Sequence, residues 1–212
     1  MFNRLWAIAY VCALIAGPTA HAQEVWITED MPVFEYSQDG QNHVIERNQD
    51  QTATIDDSFA KTSRPCPPFC VHAMKAAPGV ETVGELELLD FLRERVETGR
   101  GVLVDARLAS WYDKGTIPGA INLPFPIFTT PDNPFFAPIM TQLGAVRRGR
   151  SWDFSTSKDL LLFCNGPWCD QSPRAIRGLI AAGYPPEKLF YYRGGMQAWL
   201  SMGFQTVLPS GV

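Results

Sequence analysis

One stretch of the sequence decides the fold: LLLFCNGPWCDQSPRAIRGLIAAG, residues 160–183. Its first five residues, 160–164, form an unbroken apolar run, which is typical of a strand buried on both faces of a sheet. A polar loop then leads into the apolar periodicity of a helix over 173–182, and Gly183 supplies the expected C-terminal stop. The stretch therefore predicts a strand, a short loop and a helix, the unit from which parallel α/β sheets are built.

Similar elements lie on both sides of this stretch. Thr82-x-x-Glu85 has the form of a capping box at the start of a helix that runs to Gly99. Further strands are predicted at Val102–Asp105, Ile121–Leu123 and Leu189–Tyr192, with a helix near Phe135–Leu143. The predicted fold class is α/β, a parallel sheet with helices on both faces, and the predicted domain covers residues 80–212.

Residues 23–79 have a different texture, polar and rich in turns. Two short alternating runs, 32–36 and 43–47, flank an Asp-Gly pair at 39–40, which is typical of a β-hairpin. Further along, the proline-stiffened segment 63–70 contains Cys66-Pro-Pro-Phe-Cys70. We interpret residues 23–79 as an N-terminal extension, a hairpin plus this loop. It has too few apolar residues to fold alone, so we expect it to dock on the domain that follows.

The first 22 residues have the pattern of a secretory signal peptide. Arg4 precedes an apolar run of about a dozen residues, a Gly-Pro break and an Ala-x-Ala site that ends at Ala22. A membrane-spanning helix needs about 20 apolar residues. We therefore expect cleavage after Ala22, no membrane anchor in the mature protein, and a periplasmic or secreted location. Four cysteines would then remain in a compartment where disulfides form.

Composition and charge narrow the function classes. The 212 residues are 46% hydrophobic and 19% charged, which is ordinary globular composition. The chain has 18 Lys and Arg against 22 Asp and Glu; removing residues 1–22 takes away one arginine and changes the formal charge from −4 to −5. Such an acidic chain has no basic field for a nucleic-acid backbone or an anionic membrane surface, so we expect no nucleic-acid partner.

Cys164 is the strongest candidate for a reactive group. It lies at the carboxyl end of a predicted parallel strand, where open α/β sheets place their ligands. The helix that follows turns its unpaired N–H groups toward the loop and favours a thiolate there, and Gly166 lets the loop curl with its amides inward. This spacing suits a nucleophilic cysteine. The alternative is a permanent Cys164–Cys169 disulfide, and proximity likewise favours pairing Cys66 with Cys70.

The surroundings of Cys164 resemble the rhodanese family over roughly residues 82–207. The matching segments are 102–107 (VLVDAR), Tyr112, 115–124 (GTIPGAINLP), the Cys164 loop, Gly183-Tyr184 and 189–199 (LFYYRGGMQAW). In this comparison, Cys164 matches the catalytic cysteine of the rhodanese family. The Gly194-Gly195 pair matches the glycines that turn the chain into the last helix, and Trp199 matches the tryptophan that packs the core.

The resemblance implies a rhodanese-like sheet and a sulfurtransferase. Cys164 would take a sulfane sulfur from a small sulfur-containing donor as a persulfide and pass it to a thiol or other thiophilic acceptor, with no cofactor and no metal. Two positions depart from the family pattern: Thr116 stands where a His is usual, and Cys169 where an Arg or another donor is common. Phosphatases of similar architecture need Cys-x5-Arg to grip phosphate, and Asp170 occupies that position here.

Other residues are candidates for supporting roles. The candidates for substrate contact within the loop are Asn165, Gly166, Pro167, Trp168 and Asp170. Arg174 either steers an anionic donor or is an ordinary solvated helix charge. Asp105 and Arg107 are interpreted as a charged pair that braces the sheet, and Trp199 as a core residue. His72 has no partner at ligand spacing, so a surface or core role is assigned to it.

The second cysteine of each pair admits more than one role. Cys169 is a possible resolving thiol that attacks a persulfide on Cys164. Cys66 and Cys70 most simply form a local disulfide, but a redox relay to the Cys164 loop or a four-sulfur metal site is also open. Three functions remain: an exported sulfurtransferase, a thiol–disulfide oxidoreductase that cycles Cys164 and Cys169 with an unknown redox partner protein, and a binding module whose cysteine pair is a permanent bridge.

Overall fold

A computed structural model describes residues 24–209. The strands are β1 Phe34–Gln38, β2 Gln41–Ile45, β3 Glu81–Val83, β4 Gly101–Asp105, β5 Ile121–Asn122, β6 Val146–Arg148, β7 Ser151–Asp153, β8 Asp159–Phe163 and β9 Leu189–Tyr192. The α-helices are α1 Asp57–Ala60, α2 Glu85–Phe91, α3 Ala109–Tyr112, α4 Pro126–Thr129, α5 Phe136–Gln142, α6 Gln171–Ala181 and α7 Gly195–Ser201. A π-helical segment, Leu92–Val96, continues α2, and a 3-10 turn, Pro186–Lys188, precedes β9.

A five-stranded parallel sheet lies at the centre, in the order β3-β9-β8-β4-β5. The middle strand, β8, is flanked by β9 and β4, and residues 160–163 are fully buried, which explains the unbroken apolar run. One core lies between the sheet and α6, and a second core lies on the other face, against α2 and α7. The predicted α/β fold with helices on both faces is confirmed.

β1 and β2 form the predicted hairpin. The two residues between them, Asp39 and Gly40, have φ values of 51° and 78°, the left-handed conformations that a two-residue hairpin turn of type I′ requires. The side chains of Phe34, Tyr36 and Ile45 are buried in the same core as α2 and α7. The Tyr36 hydroxyl also donates a hydrogen bond to the carbonyl of Pro118 at 2.9 Å. The hairpin therefore packs on the domain, as its few apolar residues led us to expect.

The helix expected after Thr82 begins at Glu85 instead. Thr82 lies in β3, which pairs with β9 at the edge of the sheet. The sequence did not predict this strand. The N-cap is Gly84, whose N–H donates to the Glu87 carboxylate at 3.0 Å. Gly84 has no side chain that could complete a capping box, so only the Glu87 half of that motif is present. Glu85 is left to accept a hydrogen bond from the Tyr192 hydroxyl at 2.8 Å.

Among residues 24–209, no helix is both long enough and apolar enough to cross a bilayer. The predicted signal peptide, residues 1–22, lies outside the described residues.

Candidate active site around Cys164

Cys164 is the first residue after β8, at the carboxyl end of the middle strand. Its carbonyl accepts a hydrogen bond from the N–H of Met196 at 2.9 Å, and the Asn165 carbonyl accepts one from the N–H of Gln197 at 3.0 Å. These bonds hold the start of α7 against the loop. A Cβ on Gly195 would lie 2.3 Å from the Cys164 carbonyl oxygen, so only glycine fits at this position.

The Cys164 loop, residues 164–170, curls back on itself. Gly166 has a φ of 154°, which favours glycine, and its carbonyl accepts a hydrogen bond from the N–H of Cys169 at 2.9 Å. Both cysteines are buried free thiols, Cys164 2% and Cys169 5% exposed. The Cys164–Cys169 disulfide that proximity favoured is therefore absent from the structure.

The environment of the Cys164 thiol favours its ionisation. Burial raises its pKa, but hydrogen bonds from the Cys169 thiol, from the Ser172 hydroxyl and from the N–H groups of Ser172 and Gly166 outweigh burial. Together they lower the pKa from an ordinary 9.0 to about 7. The Ser172 oxygen lies 3.1 Å from the sulfur. A pKa near 7 makes the Cys164 thiolate accessible at neutral pH.

Cys169 has the opposite tendency. The hydrogen bond that its thiol makes to Cys164 raises its pKa, and burial and the charge of Cys164 act in the same direction. When Cys164 is itself protonated, its thiol donates to the Cys169 carbonyl at 3.3 Å. Of the two thiols, Cys164 is therefore the one that ionises more readily, and Cys169 is a protonated hydrogen-bond donor beside it.

A buried ion pair lies at the end of the neighbouring strand β4. Arg107 Nη2 is 2.6 Å from Asp105 Oδ2, and the two side chains are 1% and 0% exposed. The Thr116 hydroxyl donates to the same carboxylate oxygen at 2.8 Å, so the residue that stands in place of the usual His closes this network. Arg107 Nη1 also donates to the Asn165 side-chain oxygen at 3.4 Å. The side chain of Asn165 therefore faces the ion pair, which braces the base of the loop.

A segment of the extension lies over the Cys164 loop; we call residues 64–72 the cover segment. The guanidinium carbon of Arg64 is 3.7 Å from the centroid of the Trp168 ring. Phe69 meets the same ring edge-on, with centroids 5.7 Å apart. Trp168 Nε1 also donates a hydrogen bond to the Gln197 side-chain oxygen at 2.8 Å. The cover segment therefore packs on the Trp168 side chain of the Cys164 loop.

The cover segment contains the second cysteine pair. Cys66 and Cys70 are joined by a disulfide, with 4.6 Å between their Cα atoms. Their sulfurs are therefore not available for a four-sulfur metal site with Cys164 and Cys169. In the part of the chain that the structure describes, no group of three or more His, Cys, Asp and Glu side chains could hold a metal ion.

The sequence profile of the rhodanese-like domain family matches residues 88–202, which is more than half of the chain. The chain belongs to the rhodanese-like domain family. The matched region lies inside the predicted domain of residues 80–212 and contains the Cys164 loop and the Gly194-Gly195 turn. The cover segment of the extension lies before the matched region.

One curated relative and several solved structures are similar to this rhodanese-like chain. The HTH-type transcriptional regulator Rv0324 of Mycobacterium tuberculosis (strain ATCC 25618 / H37Rv) is 30% identical over 114 residues, 54% of this chain; the chain spans only 40% of that protein's length. The human single-domain sulfurtransferase TSTD1 is 25% identical, with 57% of this chain and 96% of that chain covered and a TM-score of 0.39. The Saccharomyces cerevisiae single-domain sulfurtransferase RDL2 is 17% identical, with 58% and 91% covered and a TM-score of 0.40. A protein of unknown function from Rhodopseudomonas palustris CGA009, described as a possible tyrosine phosphatase, is 20% identical, with 62% and 88% covered and a TM-score of 0.44. At TM-scores below 0.5, these structural likenesses carry no weight for the function of this chain.

Ser172 is a site residue that sequence reasoning missed in this rhodanese-like domain. It lies fully buried in the first turn of α6, where both its hydroxyl and its N–H reach Cys164. In the sequence, this position stands just before the helix predicted over 173–182. One signal could have found it, namely a small hydroxyl residue in the first turn of a helix whose N-terminus faces a cysteine.

Three other predicted residues make their contacts elsewhere. The Arg174 guanidinium is 45% exposed, stands 4.4 Å from the Phe125 ring centroid and lies 3.8 Å from the Asp170 carboxylate. Arg174 and Asp170 thus form an exposed i,i+4 pair at the start of α6, which agrees with an ordinary helix charge. Trp199 is fully buried and stacks on Phe204, with ring centroids 4.2 Å apart.

Proposed function

We propose that this protein is a sulfurtransferase that carries a sulfane sulfur as a persulfide on Cys164. The supporting observation is the lowered pKa of a cysteine that receives hydrogen bonds from Cys169, Ser172 and Gly166. The thiolate is the form of cysteine that attacks sulfur, and a pKa near 7 supplies it at neutral pH. Membership of the rhodanese-like family supports the same reaction class.

The reaction has two half-steps at Cys164. In the first, the thiolate attacks the outer sulfur of thiosulfate or a thiosulfonate; a new S–S bond forms, the donor's S–S bond breaks, and sulfite or a sulfinate leaves with the electron pair. In the second, an acceptor thiolate attacks that sulfur and Cys164 leaves as a thiolate. The groups that stabilise the Cys164 thiolate therefore assist both its formation before the first step and its departure in the second.

Cys169 has a proposed second role as a resolving thiol. Once deprotonated, it attacks the inner sulfur of the Cys164 persulfide, hydrosulfide leaves, and a 164–169 disulfide remains. The raised pKa of Cys169 keeps it protonated while Cys164 carries the negative charge. The rest of the loop, Gly166 to Trp168, would enclose the outer sulfur.

A thiol–disulfide oxidoreductase is the second candidate function, and the asymmetry of the two thiols favours it. A low-pKa cysteine beside a protonated one is the arrangement with which a dithiol attacks a substrate disulfide and then resolves the mixed disulfide. In this reaction Cys164 would attack and Cys169 would resolve. A redox partner protein would then have to reduce the resulting disulfide.

We infer that the protein is exported, to the periplasm or beyond, with residues 1–22 removed. The signal-peptide pattern supports this inference, and so does the Cys66–Cys70 disulfide, because such bonds persist in oxidising compartments. N-terminal sequencing of the protein recovered after expression of the full chain in a Gram-negative host tests it. A mature chain that begins at Gln23 in the periplasmic fraction is expected, whereas an unprocessed chain in the cytoplasm would contradict export.

Steady-state sulfur transfer from thiosulfate or a thiosulfonate to a thiol acceptor tests the proposed reaction. Cys164→Ser is expected to reduce transfer to background, because a hydroxyl near neutral pH neither attacks sulfane sulfur nor stores it. Cys169→Ser is the matched control, since it removes the other thiol of the loop and is expected to retain the first transfer to Cys164. Full activity in Cys164→Ser would move the nucleophile elsewhere and overturn the assignment.

A further inference from the structure

Several buried polar atoms around the Cys164 loop have no hydrogen-bond partner. They are Arg193 Nε, His72 Nε2, Tyr191 Oη, Gln171 Oε1 and Arg64 Nε. Buried polar groups in folded proteins are nearly always paired, and each exception calls for an explanation such as a ligand site. Here five such atoms belong to residues that surround a single loop.

His72 contacts the loop directly, and Arg193 is hydrogen-bonded to His72. Arg193 Nη2 donates to the His72 carbonyl at 2.9 Å, and the N–H of His72 donates to the Pro167 carbonyl at 3.0 Å. Arg193 is also two residues before Gly195, which lies against the Cys164 carbonyl. The extension and the end of β9 therefore meet at the Cys164 loop, and each contributes an unpartnered nitrogen.

Tyr191, on β9, and Gln171, at the start of α6, also lie beside the Cys164 loop. Tyr191 is fully buried on β9, opposite Leu162 of β8, on the face of the sheet that α6 covers. Burial raises the pKa of its hydroxyl; the negative charge of Cys164 raises this pKa further, whereas the positive charge of Arg193 lowers it. Gln171 begins α6, whose first N–H groups point toward the loop.

The two arginines at this place, Arg193 and Arg64, have no carboxylate partner among residues 24–209. The negative charge of Cys164 and the positive charge of Arg193 both affect the pKa of Tyr191. Near neutral pH, Cys164 carries its negative charge for only part of the time. A guanidinium with an unpartnered, buried Nε is the kind of group that receives an oxyanion, because its N–H groups match the spacing of the anion's oxygens.

We propose that Arg193, Tyr191 and His72 form an oxyanion subsite beside Cys164, and that the extension thereby supplies part of the substrate site. The ligand class is a sulfonate or thiosulfonate group: the oxidised end of the sulfur donor before transfer, and sulfite or a sulfinate after it. This inference rests on the proposed function for its substrate, but the site can be tested without sulfur transfer.

The subsite assigns a part to each group in the first half-step. Arg193 and the Tyr191 hydroxyl donate to the sulfonate oxygens, and His72 donates from the tautomer that carries its proton on Nε2. As the S–S bond of thiosulfate breaks, the electron pair moves onto the departing sulfite, so the cation stabilises the leaving group where negative charge accumulates. Gln171 presents an oxygen as placed, and rotating its amide by half a turn would present the NH2 group instead.

Alkylation of Cys164 by two reagents of similar size, anionic iodoacetate and neutral iodoacetamide, tests the subsite directly. The adduct is located by peptide mapping, and the ratio of the two rates cancels changes in thiolate fraction and in access. Arg193→Gln is expected to lower the iodoacetate-to-iodoacetamide ratio about tenfold, because it removes a charge-assisted hydrogen bond. Tyr191→Phe and His72→Ala are each expected to lower the ratio about threefold.

Arg150→Gln is the matched control, because it removes the same charge from an exposed arginine in the turn between β6 and β7. Its ratio is expected to equal that of the wild type. If Arg193→Gln and Arg150→Gln give the same ratio, the subsite does not exist, whatever the protein does with sulfur.

A second measurement links the subsite to the substrate. Persulfide loading of Cys164 is followed by mass spectrometry with thiosulfate and with an alkyl hydropersulfide as donors. The hydropersulfide has a transferable outer sulfur and releases an alkyl thiolate, but it carries no sulfonate group. Arg193→Gln is expected to slow loading from thiosulfate about tenfold and to leave loading from the hydropersulfide unchanged. An equal loss with both donors would make Arg193 a structural residue and refute its assignment to the subsite. If the wild type gains no sulfur from either donor, the proposed function fails while the alkylation ratio still decides the subsite.

Discussion

Replacing Cys169 by alanine is expected to raise the pKa of Cys164, whereas replacing it by serine is not. The Cys169 thiol is the strongest of the donors that stabilise the Cys164 thiolate against the cost of burial. Hydrogen bonds to charged groups contribute about 1.5–3 kcal/mol, and a thiol is a weak donor, so the lower end applies. One pKa unit corresponds to about 1.4 kcal/mol. Alanine should therefore raise the Cys164 pKa from its value of about 7 by about one unit.

The rate of iodoacetamide alkylation of Cys164 as a function of pH measures this shift. At pH 7 the thiolate fraction is about one half in the wild type and about one tenth in Cys169→Ala, so the rate should fall about fivefold. Above about pH 9 both proteins are largely ionised and the two rates should nearly meet. Cys169→Ser keeps a hydroxyl donor and should follow the wild-type curve. The two variants thus separate the hydrogen bond from the sulfur chemistry of Cys169.

An alanine variant whose pH profile superimposes on the wild-type profile would refute the reasoning. A serine variant that shifts as far as the alanine variant would also refute it, because the donor would then not be what matters. Ser172→Ala provides an independent comparison, since its hydroxyl lies 3.1 Å from the same sulfur. Its midpoint should also move upward, by about one pKa unit.

The remaining predictions concern the persulfide, the cover segment and the buried ion pair. If Cys169 resolves the persulfide, both Cys169→Ala and Cys169→Ser should lengthen the lifetime of a persulfide on Cys164 without reductant; an unchanged lifetime in mass spectra would reduce Cys169 to a hydrogen-bond donor. Replacing Cys66 and Cys70 by serine should lower the free energy of unfolding by about 2 kcal/mol, since the bridge closes a short loop. The same double variant should speed alkylation of Cys164, because the cover segment loosens. Equal alkylation rates in the variant and the wild type would contradict the role of the segment as a cover. Arg107→Met leaves Asp105 charged and buried, so urea unfolding should show a free energy of unfolding lower by about 3 kcal/mol or more. The double variant Asp105→Asn with Arg107→Met should recover part of that free energy. An unchanged free energy of unfolding in Arg107→Met would show that the pair does not brace the loop.

Elements with strong periodicity could be predicted from the sequence, and short edge elements could not. β8 and β4 are buried on both faces, so their sequences are continuous apolar runs that are easily recognised. β3 has three residues at the edge of the sheet, too few for any pattern. The Thr82-x-x-Glu85 pattern therefore predicts a helix cap at a residue that lies in β3, whereas the helix that follows, α2, is predicted correctly.

The candidate site shows the same division between local and long-range features. Cys164 and Gly166 were predicted because the chemistry of the loop follows from a strand, a glycine and a helix that are adjacent in sequence. Ser172 was missed because its role depends on how the first turn of α6 faces the sulfur. His72 was assigned a surface or core role, since nothing local reveals that residue 72 reaches the Pro167 carbonyl across the fold.

The mass of the peptide that contains Cys164, after reduced wild-type protein is incubated with thiosulfate or a thiosulfonate, tests the central claim most directly. A sulfurtransferase predicts the gain of one sulfur atom on Cys164, loss of that sulfur when a thiol acceptor is added, and no gain in Cys164→Ser. A reversible loss of two hydrogen atoms with a 164–169 disulfide and no added sulfur would instead indicate an oxidoreductase. An unchanged mass with every donor would contradict catalysis through Cys164 altogether.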